Sequence, residues 1–144
     1  MVEDKKWSAK RGLGARLKKA AALALSRGGK GKGTLTILLS NDEKLHDLNV
    51  TFRGKDKPTN VLSFPARDDD YLGDVAVAYG VTSQEAREQK KPFADHATHL
   101  VVHGVLHLLG YDHETARTAK IMEPLETKIL RDLGIGDPYA RKAA

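Results

Sequence analysis

Cysteine is absent from all 144 residues, so disulfides and thiolate metal sites are both excluded. Any metal must rest on His, Asp or Glu. No apolar run approaches the roughly 18 residues of a membrane span, and no signal-peptide pattern opens the chain. A soluble cytoplasmic protein with no membrane partner is therefore expected. A phosphate-binding loop is excluded as well. Residues 27–33, RGGKGKG, are glycine-rich and basic, but they lack the G-x-x-x-x-G-K-[ST] spacing and precede a strand rather than a helix. They read as a flexible linker. Strands and helices also lack the regular alternation of a βαβ protein.

The organising stretch is residues 103–113, HGVLHLLGYDH. Leu100, Val101, Val102, Val105, Leu106, Leu108 and Leu109 put apolar residues on nearly every side, which predicts a buried helix. His103 and His107 lie four apart, on one face, with Cβ atoms about 5–6 Å from each other. Gly110 permits a left-handed residue and ends the helix. His113 follows where the chain turns back. A lone histidine in an apolar helix is usually a hydrogen-bonded core residue. Two at this spacing each need a buried partner, and a third just past the turn points instead to a shared ion. Zinc on His103, His107 and His113, one ion per chain, leaves a fourth position open, as in a catalytic site. The spacing is that of H-x-x-x-H-x-x-G-x-x-H, with Gly104 where a zinc peptidase carries its general base. A rival triad of His99, His103 and His107 spans about 12 Å along the helix axis, too far for one ion. His96 and His99 then read as packing, surface or substrate-channel residues.

At this length one domain with a real core is expected. Ten Lys/Arg against two acidic residues give residues 1–33 a balance of +8, and the remainder carries −3. The basic part, residues 1–33, suits nucleic acid or an anionic surface; a merely solvated segment has the same composition. It is read as a helix over residues 8–26 plus the linker, belonging to the same domain as a core of residues 34–144. Within that core, strands are predicted at 34–39, 61–64 and 73–79. A helix capped by Ser40 runs to about Val50. A polar loop over 51–60, an acidic loop over 67–70 and a short helix capped by Thr82 are also predicted. The central helix starts at Pro92, and a last helix over 115–133 is kinked by Pro124. The class is α+β: a small sheet with the histidine-bearing helix buried against it.

Three runs together resemble the bacterial YbeY family of zinc-dependent endoribonucleases, also called ribosomal RNA maturation factors. They are residues 52–65, FRGKDKPTNVLSFP; residues 72–74, LGD; and residues 103–113. Residues 137–139, DPY, are similar to the family's ending, so the resemblance covers about residues 34–139. It implies a mixed sheet of about four strands with about five helices, and zinc on His103, His107 and His113. It implies that Arg53 lies at the active cleft as a catalytic residue, where its fork suits two phosphate oxygens. It implies single-strand-specific cleavage in maturing the 3′ end of 16S rRNA, a role in ribosome quality control, and small-subunit rRNA, the small subunit and assembly factors as partners. Two features depart from the family. The chain starts within the family's first strand, so that edge strand is expected to be short. Residues 114–120, ETARTAK, are less acidic than usual. Two other functions share the ligand spacing: a zinc peptidase or other metallohydrolase, and a ribosome-assembly binding factor with a structural metal. Asp112 is a candidate either for proton transfer or for orienting a ligand histidine.

Overall fold

The computed structural model describes residues 2–29, 33–66, 70–112 and 114–137. His113, Asp68, Asp69 and Pro138 lie outside the described residues, so the third predicted ligand and most of the acidic loop have no structural account here.

Asp4 caps a one-turn helix, α1 (Lys5–Ser8), its carboxylate accepting the Lys6 N–H at 2.9 Å. This turn sends Trp7 into the core, where its indole N–H donates to the Ser40 carbonyl at 2.8 Å. The predicted basic helix is α2 (Leu13–Arg27), starting after left-handed Gly12. Its stripe of Leu13, Leu17, Ala20, Ala21, Ala24 and Leu25 is buried.

The central part places the site. Strand β1 (Thr34–Ser40) leads to α3 (Asp42–Arg53). The cap of α3 is Asn41, not Ser40. Ser40 ends the strand and donates its hydroxyl to Glu3 at 2.8 Å. Helix α3 runs three residues beyond Val50, so Arg53 stands on its last turn rather than in a loop. Gly54, at φ 64°, supplies the left-handed stop. Strands β2 (Val61–Pro65) and β3 (Tyr71–Ala78) follow. Helix α4 (Tyr79–Glu88) starts directly at the end of β3. Thr82 is inside it, not at its cap, and its hydroxyl donates to the Ala78 carbonyl at 2.6 Å. Helices α5 (Phe93–Leu108) and α6 (Ala116–Asp132) complete the described fold; Thr115 caps α6, which continues through Pro124.

The sheet is mixed, in the order β1-β3-β2, with β1 parallel and β2 antiparallel to β3. Three strands are described where about four were expected. Beyond them, Val2 makes a single parallel bridge to Leu39. The sixth described helix, against about five expected, is the one-turn α1.

Side-chain alternation along β3 divides the core. Val75 and Val77 join the cluster that includes α5, whereas Ala76 and Ala78 pack with Leu45 of α3 and Leu62 of β2. Helix α5 touches α2, α4, α6 and the sheet. Its Val101, Val102, Val105 and Leu106 are fully buried, each contributing about 1.5–3 kcal/mol. That burial fixes the rotation of α5, and hence the direction of its histidines. No helix among the described residues is long and apolar enough to cross a membrane.

Candidate metal centre and cleft

His99, His103 and His107 stand at successive i, i+4 positions of α5, and Glu126 faces them from α6. Glu126 is completely buried. One of its oxygens lies 2.9 Å from His99 Nε2, the other 3.0 Å from His103 Nδ1. An ionised carboxylate only accepts hydrogen bonds, so both ring nitrogens are donors here. Burial pushes this carboxyl up, but the two imidazole bonds outweigh it and hold it at about 2. His99 moves down: burial disfavours its charged form more than the bond to Glu126 favours it.

The bond from Nδ1 has a chemical consequence at the other side of the His103 ring. In the neutral imidazole, a proton on Nδ1 leaves Nε2 as a lone pair. That Nε2 lies 3.0 Å from Nε2 of His107. Two nitrogens bound to one zinc at 2.0–2.1 Å with tetrahedral angles lie about 3.3 Å apart. The donor set thus fits a shared ion with little adjustment. A second grouping shares one member: His99, His103 and Glu126 bring potential ligand atoms within 4.8 Å of one another. It lies on the opposite side of the His103 ring, where the carboxylate oxygens already hold ring protons.

The end of α5 follows the expected pattern. Gly110 has φ 100°, its N–H donates to the His107 carbonyl at 3.0 Å, and the Tyr111 N–H returns to Leu106 at 3.0 Å. This is a Schellman turn, which ends the helix. Asp112 accepts the Glu114 N–H at 3.2 Å, across His113.

Gly104 accounts for the missing peptidase base. A Cβ there would come within 2.5 Å of Val75 Cγ1 and 3.2 Å of Ser63 Oγ, and the Ser63 hydroxyl donates to the Gly104 carbonyl at 2.9 Å. The helix lies so close to the sheet that no side chain fits. The face of α5 that would carry a glutamate is packed against β3, not open to a substrate.

Arg53, His103 and His107 line one cavity of about 460 Å³, together with Asn60, Ser63 and Glu114. Helix α3 brings Arg53 to this cleft and α5 brings the histidines, with edge strand β2 between them. A half-buried network supports the far end. Asn60 donates to Glu85 at 2.9 Å, and the same carboxylate oxygen lies 2.9 Å from His96 Nε2.

Glu126 is the site residue that periodicity passed over. It stands on the apolar stripe of α6, four residues after Met122 and three before Ile129. A carboxylate on such a stripe is itself the signal, because a buried charge needs partners.

A family model described as Endoribonuclease YbeY matches residues 3–134. The chain belongs to the YbeY family. An Endoribonuclease YbeY of Chelativorans sp. (strain BNC1) is 48% identical over 142 residues, covering 93% of this chain and 87% of that protein. Another, from Rhodopseudomonas palustris (strain BisA53), is 50% identical over 129 residues, covering 83% and 75%. Among solved structures, the solution structure of TM1509 from Thermotoga maritima superposes with a TM-score of 0.61 at 27% identity, covering 97% of each chain. The two chains share a fold, and the family match of residues 3–134 extends the resemblance seen in three short runs through the basic helix α2.

Proposed function

We propose that this YbeY-family chain is a zinc-dependent endoribonuclease that cleaves single-stranded RNA in maturing the 3′ end of small-subunit ribosomal RNA. The observation that carries the proposal is the single cavity lined by Arg53, His103 and His107. His103, His107 and His113 would hold the metal, with Glu126 fixing the His103 tautomer. A bound zinc supplies a Lewis acid and a source of hydroxide near neutral pH. The remaining tasks fall to the chain. Glu126 keeps the Nε2 lone pair of His103 aimed into the cleft. Arg53, exposed at its mouth, offers five donors in a planar fork to two oxygens of one phosphate. Displacement at phosphorus spreads negative charge over the equatorial oxygens, and the guanidinium stabilises that charge from the α3 side. Work on small-subunit RNA in the cytoplasm, alongside the small subunit and its assembly factors, belongs to the same proposal. The close packing at Gly104 argues against the peptidase alternative, which lacks its base.

Single-turnover cleavage of a small-subunit RNA 3′ fragment tests the role of Arg53. Arg53→Lys keeps the charge but loses the fork, so turnover should fall more than binding. If it resembles loss of one oxyanion donor, the effect is about 2–4 kcal/mol. Arg53→Glu should weaken both. Parental rates in both variants, with folding and metal content verified, would remove Arg53 from the site. Tight RNA binding by the zinc-loaded parent with no turnover would favour the binding-factor reading instead.

A further inference from the structure

We propose that Phe52 and the hollow beside it form a nucleobase subsite, receiving an unstacked base of the RNA strand whose phosphate meets Arg53. The inference rests on the nuclease reading above. Phe52 is 66% exposed, more than Val2, Val50 or Ile121, the other exposed large apolar residues among the described residues. The ring meets Phe64 at 5.4 Å with an interplanar angle of 66°, which fixes its position while leaving it accessible. Phe52 immediately precedes Arg53 on the last turn of α3.

Beside it lies a second cavity of about 750 Å³, whose apolar wall includes Leu48, Phe64 and Ala76. Arg53, Ser63 and Pro65 line both this hollow and the histidine cleft, so the two meet around edge strand β2. Glu3 and Asp74 line the second hollow together with Lys44 and Arg53, so its charges balance and its lining suits a neutral ring. The exocyclic amino groups of a base could donate to the carboxylates of Glu3 and Asp74. The phosphate stays at Arg53, which lines both spaces. Aromatic stacking accepts any base, because every base has a π-face. A duplex keeps its bases stacked within itself and offers none, so this subsite supplies a physical origin for single-strand preference.

The test uses short single-stranded RNAs carrying 2-aminopurine at successive positions, with zinc-loaded protein for cleavage and His107→Ala protein, expected to lack the ion, for binding. Bound to His107→Ala protein, which leaves the RNA intact, one position should lose fluorescence by stacking, and adding Phe52→Ala should abolish that loss. In cleavage by the otherwise parental protein, Phe52→Ala should raise KM about 5- to 150-fold, the range for one lost base–aromatic stack, with kcat largely retained. Phe52→Trp should restore KM. An abasic nucleotide at the same position should make parent and Phe52→Ala equal. An unaltered KM and unaltered quenching in folded Phe52→Ala protein would overturn the subsite while leaving the nuclease reading intact. If, in addition, the parent sediments as a dimer and Phe52→Ala as a monomer, the ring belongs to an interface between copies. A loaded parent that neither binds nor cleaves single-stranded RNA would overturn the nuclease reading, and the subsite with it.

Discussion

At the scale of the residue, Glu126 determines what the histidines can do. It is buried between two ring N–H groups, and each oxygen has one partner. Glu126→Gln keeps the size but replaces one acceptor with a donor. One histidine must then change tautomer or lose its bond, and in His103 the change would place a proton on Nε2, facing His107. Loss of such a carboxylate partner typically weakens metal binding by 10–100-fold. Zinc competition against a chromophoric chelator should show a shift of about that size in Glu126→Gln. The same assay separates the two possible ligand groupings. His107→Ala should lose the ion and His99→Ala should keep it. The reverse pattern would assign the ion to His99, His103 and Glu126. The i, i+4 spacing of His103 and His107 and the glycine turn at 110 are local features, legible along the chain. The partner of His103 was not, because it comes from another helix 23 residues away.

At the scale of the element, the close approach of α5 to β3 governs the site. In an open helix interior, Gly→Ala stabilises by about 1 kcal/mol. At Gly104 the added methyl collides with Val75, and overpacking of this kind costs about 1–3 kcal/mol. Gly104→Ala should therefore lower the thermal unfolding temperature of the metal-free protein; a rise would mean that the helix and sheet are less tightly packed than the geometry states. A second element contact gives a pH dependence. Burial pushes the Glu85 carboxyl up, but the bonds from His96 and Asn60 outweigh it and leave it below its ordinary value of 4.5. A depressed carboxyl contributes stability above the unfolded value, and that contribution is lost as pH falls from 4.5 through the folded value. Glu85→Gln should be less stable than the parent at pH 6, and the two should converge in acid. A constant difference across that window would show that Glu85 contributes no proton-linked stability. Helix boundaries were less legible than helix centres. The stop after Arg53 lay in Gly54, which polar residues on both sides disguised as part of a loop. The cap of α4 was misplaced because Asp42, from α3, accepts the Val81 N–H at 2.9 Å, a contact that no local pattern contains.

At the scale of the molecule, part of the basic N-terminal segment lies on the opposite edge of the sheet from the histidine cleft. Lys18 of α2 lines a hollow against β1, whereas the histidine cleft lies along β2. Arg16 and Arg27 are already paired, each at 2.6 Å, with Asp95 and Asp132. Exposed pairs of this kind add at most about 1 kcal/mol to stability, but they leave less of the N-terminal charge for RNA. The α+β class and the buried histidine helix were legible from hydrophobic pattern. The meeting of Arg53 with His103 and His107 was not legible from periodicity, since it depends on how α3, β2 and α5 pack at long range; only the family resemblance anticipated it. Cleavage of single-stranded small-subunit RNA, before and after metal removal, tests that meeting most directly. Parental protein stripped by a chelator should stop cleaving and recover on addition of zinc, while His107→Ala should remain inactive when reloaded. Cleavage by His107→Ala at the parental rate, or no cleavage by the zinc-loaded parent, would contradict a metal-dependent endoribonuclease at this cleft.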